Sequence, residues 1–350
     1  MVPFFRHIKK EEHMKKIVCV LLLSLIVGAF VFAQGATEAS SEKPVNLVLA
    51  DINGENTIWG KTNKMFAELV KERSGGRINV ELFLGGQLGS EEDNVNALRT
   101  GVVSITVLNC ANYQTRGINV PEYTLFGLPY LIRSSAHGTK FWQGADGMAL
   151  SAKVAEATNG EIVSMNAYVS STPKHFFSKE KREHLADFAG LKMRSATSQI
   201  SIDMIEAFGM VASPMGLNDV YSALQTGMID GTEHNLSNIW NYAFYEICPY
   251  IILTHQTFNQ NGYIMSGIAY NSLSEADRKL VFECMQEACA WCNSEYTNED
   301  VQMRARLEEK GVTIYEPADI QEWYDAAQVL YDKYAKGYDK FIETVISYDK

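Results

Sequence analysis

The sequence predicts an α/β protein of two lobes braced by one long helix, and three observations carry that reading. Short apolar strands alternate with amphipathic helices from Val45 to Leu108, the same style returns from Ile162 to Glu233, and a helical run of some 37 positions starts at Ser274. With 350 residues, 46% of them hydrophobic and 11% aromatic, the chain can fill one large or two ordinary cores.

Val45–Ala50 is the first expected strand. Ile58, Met65, Phe66, Leu69 and Val70 then fall on one helical face, and Ile78, Val80, Leu82 and Leu84 alternate at period two. Val95 and Leu98 mark a second helix and Val102–Leu108 a third strand, which completes a βαβαβ unit punctuated by turns at 74–76 and 85–86. In the middle, strands are expected at Ile162–Tyr168, Leu191–Met193 and Met228–Glu233, with helices at Ser201–Phe208 and Asn218–Gln225. Ser274 and Asp277 form a capping-box-like start to the long helix, which runs to Lys310; another helix is expected from Ala318 to Val345 after the break at 311–315. A helix that long in a two-lobed protein is expected to cross both lobes.

Lys and Arg number 31 against 42 Asp and Glu, a net charge of −11 that offers no basic footprint for nucleic acid. One segment stands apart from that average. Met14-Lys15-Lys16 precedes the apolar run Ile17–Ala33, and Val31 and Ala33 place small residues before Gln34, the pattern of a cleaved export signal at 14–33 that directs the chain to the periplasm. Residues 1–13 read as an upstream extension and 34–43 as a linker. Without residues 1–33 the balance is 26 basic to 40 acidic, a charge of −14.

Five cysteines follow that segment, an odd number without the spacing of a disulfide framework. Cys289-Ala-Trp-Cys292 could mean thiol exchange, but redox pairs of this spacing start helices, and this one lies inside a helical run. Core packing is the expected role. The sequence shows no GxSxG, P-loop, HExxH or dinucleotide fingerprint, and no His at ligand spacing, so no enzyme activity, metal or cofactor is expected.

Asp187-Phe-Ala-Gly-Leu-Lys-Met-Arg194, followed by Pro214-Met-Gly-Leu-Asn-Asp-Val-Tyr-Ser-Ala-Leu-Gln-Thr-Gly-Met-Ile-Asp-Gly-Thr-Glu-His-Asn-Leu-Ser-Asn238, closely resembles the solute-binding subunit of TRAP transporters, the DctP type. Residues 66–91, 126–131 and 273–278 extend the likeness in the right order over nearly all of the chain beyond the leader. The resemblance implies a periplasmic-binding-protein-like fold with lobe I at 44–170 plus 260–300 and lobe II at 171–259 plus 301–350. It implies a monomeric receptor that closes over an organic acid by hinge motion and hands it to an ion-driven membrane permease.

The family's carboxylate-binding arginine matches Arg194, whose planar fork suits a ligand carboxylate. A second family arginine falls at Lys174, and the family asparagine after the glutamate falls at His234. Asn109 and Asn112 stand where sialic-acid-binding members have a carboxylate and an arginine, and neutral amides suit hydroxyls. Ser90 and Leu217 complete the expected wall, with Trp59, Phe126 and Tyr168 as candidates for its roof. The ligand expected from these residues is a hydroxylated monocarboxylate such as a hexuronate or aldonate. The alternatives are a C4-dicarboxylate, a keto acid or an aromatic acid, and, in another class, an exported thiol oxidoreductase using Cys289 and Cys292.

Overall fold

The computed structural model describes residues 44–349, so the expected export signal at 14–33, its extension and the linker 34–43 lie outside the described residues. Along the chain the elements are β1 (Val45–Ala50), α1 (Ile58–Arg73), β2 (Ile78–Phe83), α2 (Glu91–Thr100), β3 (Ile105–Asn109), α3 (Ser135–Gln143), α4 (Ala145–Ala157) and β4 (Ile162–Pro173). There follow β5 (His175–Ser178), β6 (Lys192–Ser195), α5 (Gln199–Ala207), β7 (Val211–Pro214), α6 (Val220–Thr226), β8 (Gly231–His234), α7 (Leu236–Asn241), β9 (Tyr250–Ile252) and β10 (Phe258–Ser266). The chain closes with α8 (Gly267–Ser272), α9 (Glu275–Glu309), β11 (Thr313–Tyr315), α10 (Gln321–Tyr334) and α11 (Asp339–Ser347).

Two sheets result. The first has the order β2-β1-β3-β10-β4, in which β1 pairs in parallel with β2 and β3 while β10 runs antiparallel between β3 and β4. The second has the order β11-β9-β5-β8-β6-β7, with β6 parallel to both β7 and β8. Helix starts follow side-chain chemistry: Thr57 caps α1 through the Gly60 amide, Ser90 and Asp93 form a capping box on α2, and Ser274 accepts from the Asp277 amide at the head of α9.

The 35 residues of α9 span about 52 Å at 1.5 Å each. Its first two thirds bury Val281, Met285, Ala288 and Tyr296 in the core that holds Leu47, Leu49 and Phe66 of the first sheet's layers; its last turns bury Met303 and Leu307 with Phe177 and Ile251 of the second sheet. One helix therefore anchors in both halves. Cys284, Cys289 and Cys292 are buried on its core face, unpaired, and burial pushes the Cys289 thiol well up and the Cys292 thiol up to about 12. Thiols held protonated in an apolar core are poor nucleophiles, which removes the basis for a thiol-exchange role at 289–292.

The expected helix at 318–345 is two helices, α10 and α11, because Gly337 adopts a left-handed conformation (φ 87°) that ends one axis and starts another. These helices touch both halves. Trp323 packs on Phe176, Phe188 and Phe208, whereas Phe341 and Tyr348 pack edge-on against Phe141. The third strand starts at Ile105, later than expected from the sequence, since Gly101 (φ 76°) turns the chain and leaves Val102 exposed.

Candidate functional site

A cavity of about 600 Å³ opens between the two sheets. Its lining includes all seven residues expected from the sequence: Ser90, Asn109, Asn112, Lys174, Arg194, Leu217 and His234. Trp59 and Phe126 reach it as well. Tyr168 does not: its ring stacks on Trp142 at 3.8 Å, and its hydroxyl shares hydrogen bonds with Tyr123, Ser151 and Ser164, so it is a core residue.

Arg194 lies on β6, whose parallel register with β7 sets it opposite Ser213. Its Nε and Nη2 both donate to the Met215 carbonyl, at 3.1 and 3.0 Å, which fixes the guanidinium plane and leaves the Nη1 edge uncommitted. The residue is 6% exposed, and no carboxylate stands within ion-pair distance of it among the described residues. Desolvation lowers its pKa from the usual guanidinium value, opposed by the fields of Glu233 and Glu91. A buried, pre-oriented guanidinium with a free edge has the geometry to pair with one carboxylate.

Lys174 follows β4 directly, and its Nζ donates to Glu233 Oε1 at 2.9 Å. Both side chains are buried, and Glu233 Oε2 has no hydrogen-bond partner. The ammonium is thus neutralised by a neighbour on β8. His234, next in sequence, accepts the Asn235 amide on Nδ1, so the neutral ring carries its proton on Nε2. Burial, then the charges of Lys174 and Arg194, hold its pKa well below the usual 6.5.

The opposite wall is built from amides and paired charges. Asn109 ends β3 and stands in register with Asn261 of β10, with Asn259 two positions away on the same face. Asn112 donates to Glu91 at 2.8 Å, and Arg116 approaches Glu91 at 3.8 Å and Glu92 at 3.4 Å. Burial raises the Glu91 carboxyl, while Asn112 and Arg116 hold it down. Ser90 lines the wall, but its hydroxyl bonds Asp93 as a helix cap. Glu91, Arg116, Asn238, Asn259 and Asn261 also line the cavity and were given no site role from the sequence, although Glu91 and Asn238 each end a segment of the family likeness. The period-two spacing of Asn259 and Asn261 in a buried strand was the available signal for the last two.

The geometry can seat a small anion: one oriented guanidinium on one side, and on the other a field of neutral amides able to donate to and accept from hydroxyls. Comparison with known proteins identifies the family. Residues 49–337 match the family described as bacterial extracellular solute-binding protein, family 7, or DctP. A solute-binding protein of Sulfitobacter sp. (strain NAS-14.1) is 29% identical over 89% of this chain and 93% of its own length. A TRAP periplasmic solute binding protein from Bradyrhizobium sp. BTAi1, in complex with α/β-D-galacturonate, superposes with a TM-score of 0.80 at 25% identity, covering 87% of this chain and 100% of that one. One from Shewanella oneidensis with bound succinate gives 0.81 at 24% identity, covering 88% and 100%. The two sheets and the long helix match those of TRAP binding proteins, and the chain belongs to the DctP family of extracellular solute-binding proteins.

Proposed function

We propose that this protein is the extracytoplasmic receptor of a TRAP transporter for a hydroxylated monocarboxylate, a hexuronate or aldonate. The supporting observation is the charge pattern of the cavity. Lys174 is matched by Glu233 and Arg116 by Glu91 and Glu92, so Arg194 is the cavity cation left without a carboxylate among the described residues. One unmatched cation suits one carboxylate. The roles assigned are Arg194 to the carboxylate and Asn109, Asn112 and His234 to hydroxyls, with Ser90 and Leu217 as wall and Lys174 as a charge-paired neighbour. The galacturonate-bound Bradyrhizobium relative lends the sugar-acid class support, and the succinate-bound Shewanella relative defines the competing one. A second carboxylate would have to compete with Glu233 for Lys174, breaking a buried pair.

In this reading residues 14–33 export the chain, and the product is a monomer that delivers its ligand to the membrane permease. The lobes divide at 170/171 and 259/260, with α9 as the shared brace. A thermal-shift panel of D-glucuronate, D-galacturonate, D-gluconate and succinate tests it. At a hundred times its dissociation constant a true ligand stabilises the fold by about 2.7 kcal/mol, and Arg194→Ala should abolish the shift. Stabilisation by succinate with none from the sugar acids would overturn the ligand class.

A further inference from the structure

Arg116 is the charged group of the cavity that the carboxylate-binding role leaves unexplained. It ends a short 3₁₀ turn, Gln114–Arg116, which Gly117 closes in a left-handed conformation (φ 73°), and its carbonyl is held by Arg99 Nη2. The side chain is 11% exposed and lines the cavity, against the habit of a loop arginine. On its own side of the cleft it meets the first turn of α2 through Glu91 and Glu92. On the other side its Nη2 donates to Thr197 Oγ1 at 3.2 Å, just beyond β6 and three residues from Arg194. This bond joins the two halves of the molecule at the cavity wall, where both residues line it.

Two further features bear on what that bond does. Arg116 Nε is buried without a hydrogen-bond partner, and the nearest carboxylate oxygen, Glu91 Oε1, is 3.8 Å away, beyond hydrogen-bond reach. The side chain therefore keeps an unmade hydrogen bond at Nε while its Nη2 is spent on Thr197. Close by, Asn218 Nδ2 of the second half approaches the turn at Gly86 of the first, where a Cβ would stand 3.3 Å from it. The halves thus meet at short range at a second point, and Arg116 to Thr197 is the contact that involves a charged group.

We infer that Arg116 is a latch: a positioning residue that fastens the first half to Thr197 over a bound ligand and so sets how long the ligand stays. Because Glu91 and Glu92 offset its charge, it adds little to the capture of an anion and much to its retention. With the halves apart Thr197 leaves its reach, and the guanidinium stays docked on α2. The inference rests on the cleft being a ligand site, not on which acid fills it.

The test is stopped-flow dissociation followed by tryptophan fluorescence, since Trp59 lines the cavity. D-Glucuronate is the probe, or succinate if the wild type binds that acid instead, which keeps a wrong ligand class separable from a wrong latch. Thr197→Val removes only the accepting hydroxyl from an exposed residue and should raise the dissociation rate about tenfold, with the association rate unchanged. Thr197→Ser should restore wild-type dissociation. Arg116→Ala should raise the rate at least as much, and adding Thr197→Val to it should change nothing further, because the bond is already gone. An unchanged rate in Thr197→Val, or additive effects in the double variant, would overturn the latch.

Discussion

Arg194 and Lys174 carry the same charge in the same cavity, and they are held by opposite means. Arg194 is tethered to a carbonyl, a neutral acceptor that orients the guanidinium without cancelling its charge. Lys174 is tethered to a carboxylate that cancels it. The difference teaches that a cation's place in a motif says less about its availability than the partner folding gives it. Lys174 enters the site already paired with Glu233, although its charge is still felt by His234 beside it; Arg194 enters it without a carboxylate partner.

The largest effect that could break this contrast is on stability. Glu233→Gln leaves a buried ammonium without its counter-charge, and the ligand-free protein should lose about 3–5 kcal/mol in denaturant-induced unfolding. The double variant Lys174→Met with Glu233→Leu should recover most of that loss, since an apolar pair of similar size removes the uncompensated charge. A Glu233→Gln protein as stable as the wild type would show that Lys174 has another partner or ready access to water.

The second prediction moves affinity and spares the fold. In Arg194→Lys a single ammonium cannot bond the Met215 carbonyl and also present two parallel donors to a carboxylate. Calorimetry with D-glucuronate should show affinity weakened about tenfold, near 1.4 kcal/mol, with the unfolding midpoint of the ligand-free protein little changed. Full affinity in the lysine variant would mean that the plane of the guanidinium is not what the ligand reads.

The same contrast explains how much was legible in the sequence. Periodicity located the first βαβαβ unit and the long helix, because those elements bury regular faces: Ile78 and Val80 on one side of β2, Val281, Met285 and Ala288 along α9. It missed the split at Gly337, where apolar residues continue on both sides and only the backbone changes hand. It shortened β4, whose Ser170, Ser171 and Thr172 are polar yet buried where the strand crosses toward the second sheet; Asn293 of α9 accepts from the Ser170 amide and Asp300 from the Thr172 hydroxyl, while the Ser171 hydroxyl donates to the Thr172 carbonyl. In the site, motif spacing located Arg194, Lys174 and His234. Glu91 and Arg116 drew no reading, because nothing in local sequence shows that folding brings them together at the cavity wall.

The smallest expected effect sharpens the contrast from the side of His234. Its pKa is held well below the ordinary value by burial and by both cations, so the folded protein refuses a proton that the unfolded chain accepts near pH 6.5. Its contribution is intact above that pH and is lost as pH falls below it. His175, buried against His255, pulls the same way, so the acid limb is shared. Asp51 and Asp300, both pushed up to about 6 by burial, pull the other way: their contribution is whole below pH 3.8 and is lost as pH rises through 6. His234→Asn keeps a donor and an acceptor but cannot titrate. Its melting temperature should fall less than that of the wild type between pH 6.5 and 5. A carboxylate bound to Arg194 offsets one of the two cations facing the imidazole, so saturating D-glucuronate should flatten the wild-type slope and leave the variant's slope nearly untouched. The same ligand effect in both proteins would mean that the field of Arg194 does not reach His234, and that the unmatched charge is screened before it crosses the cavity.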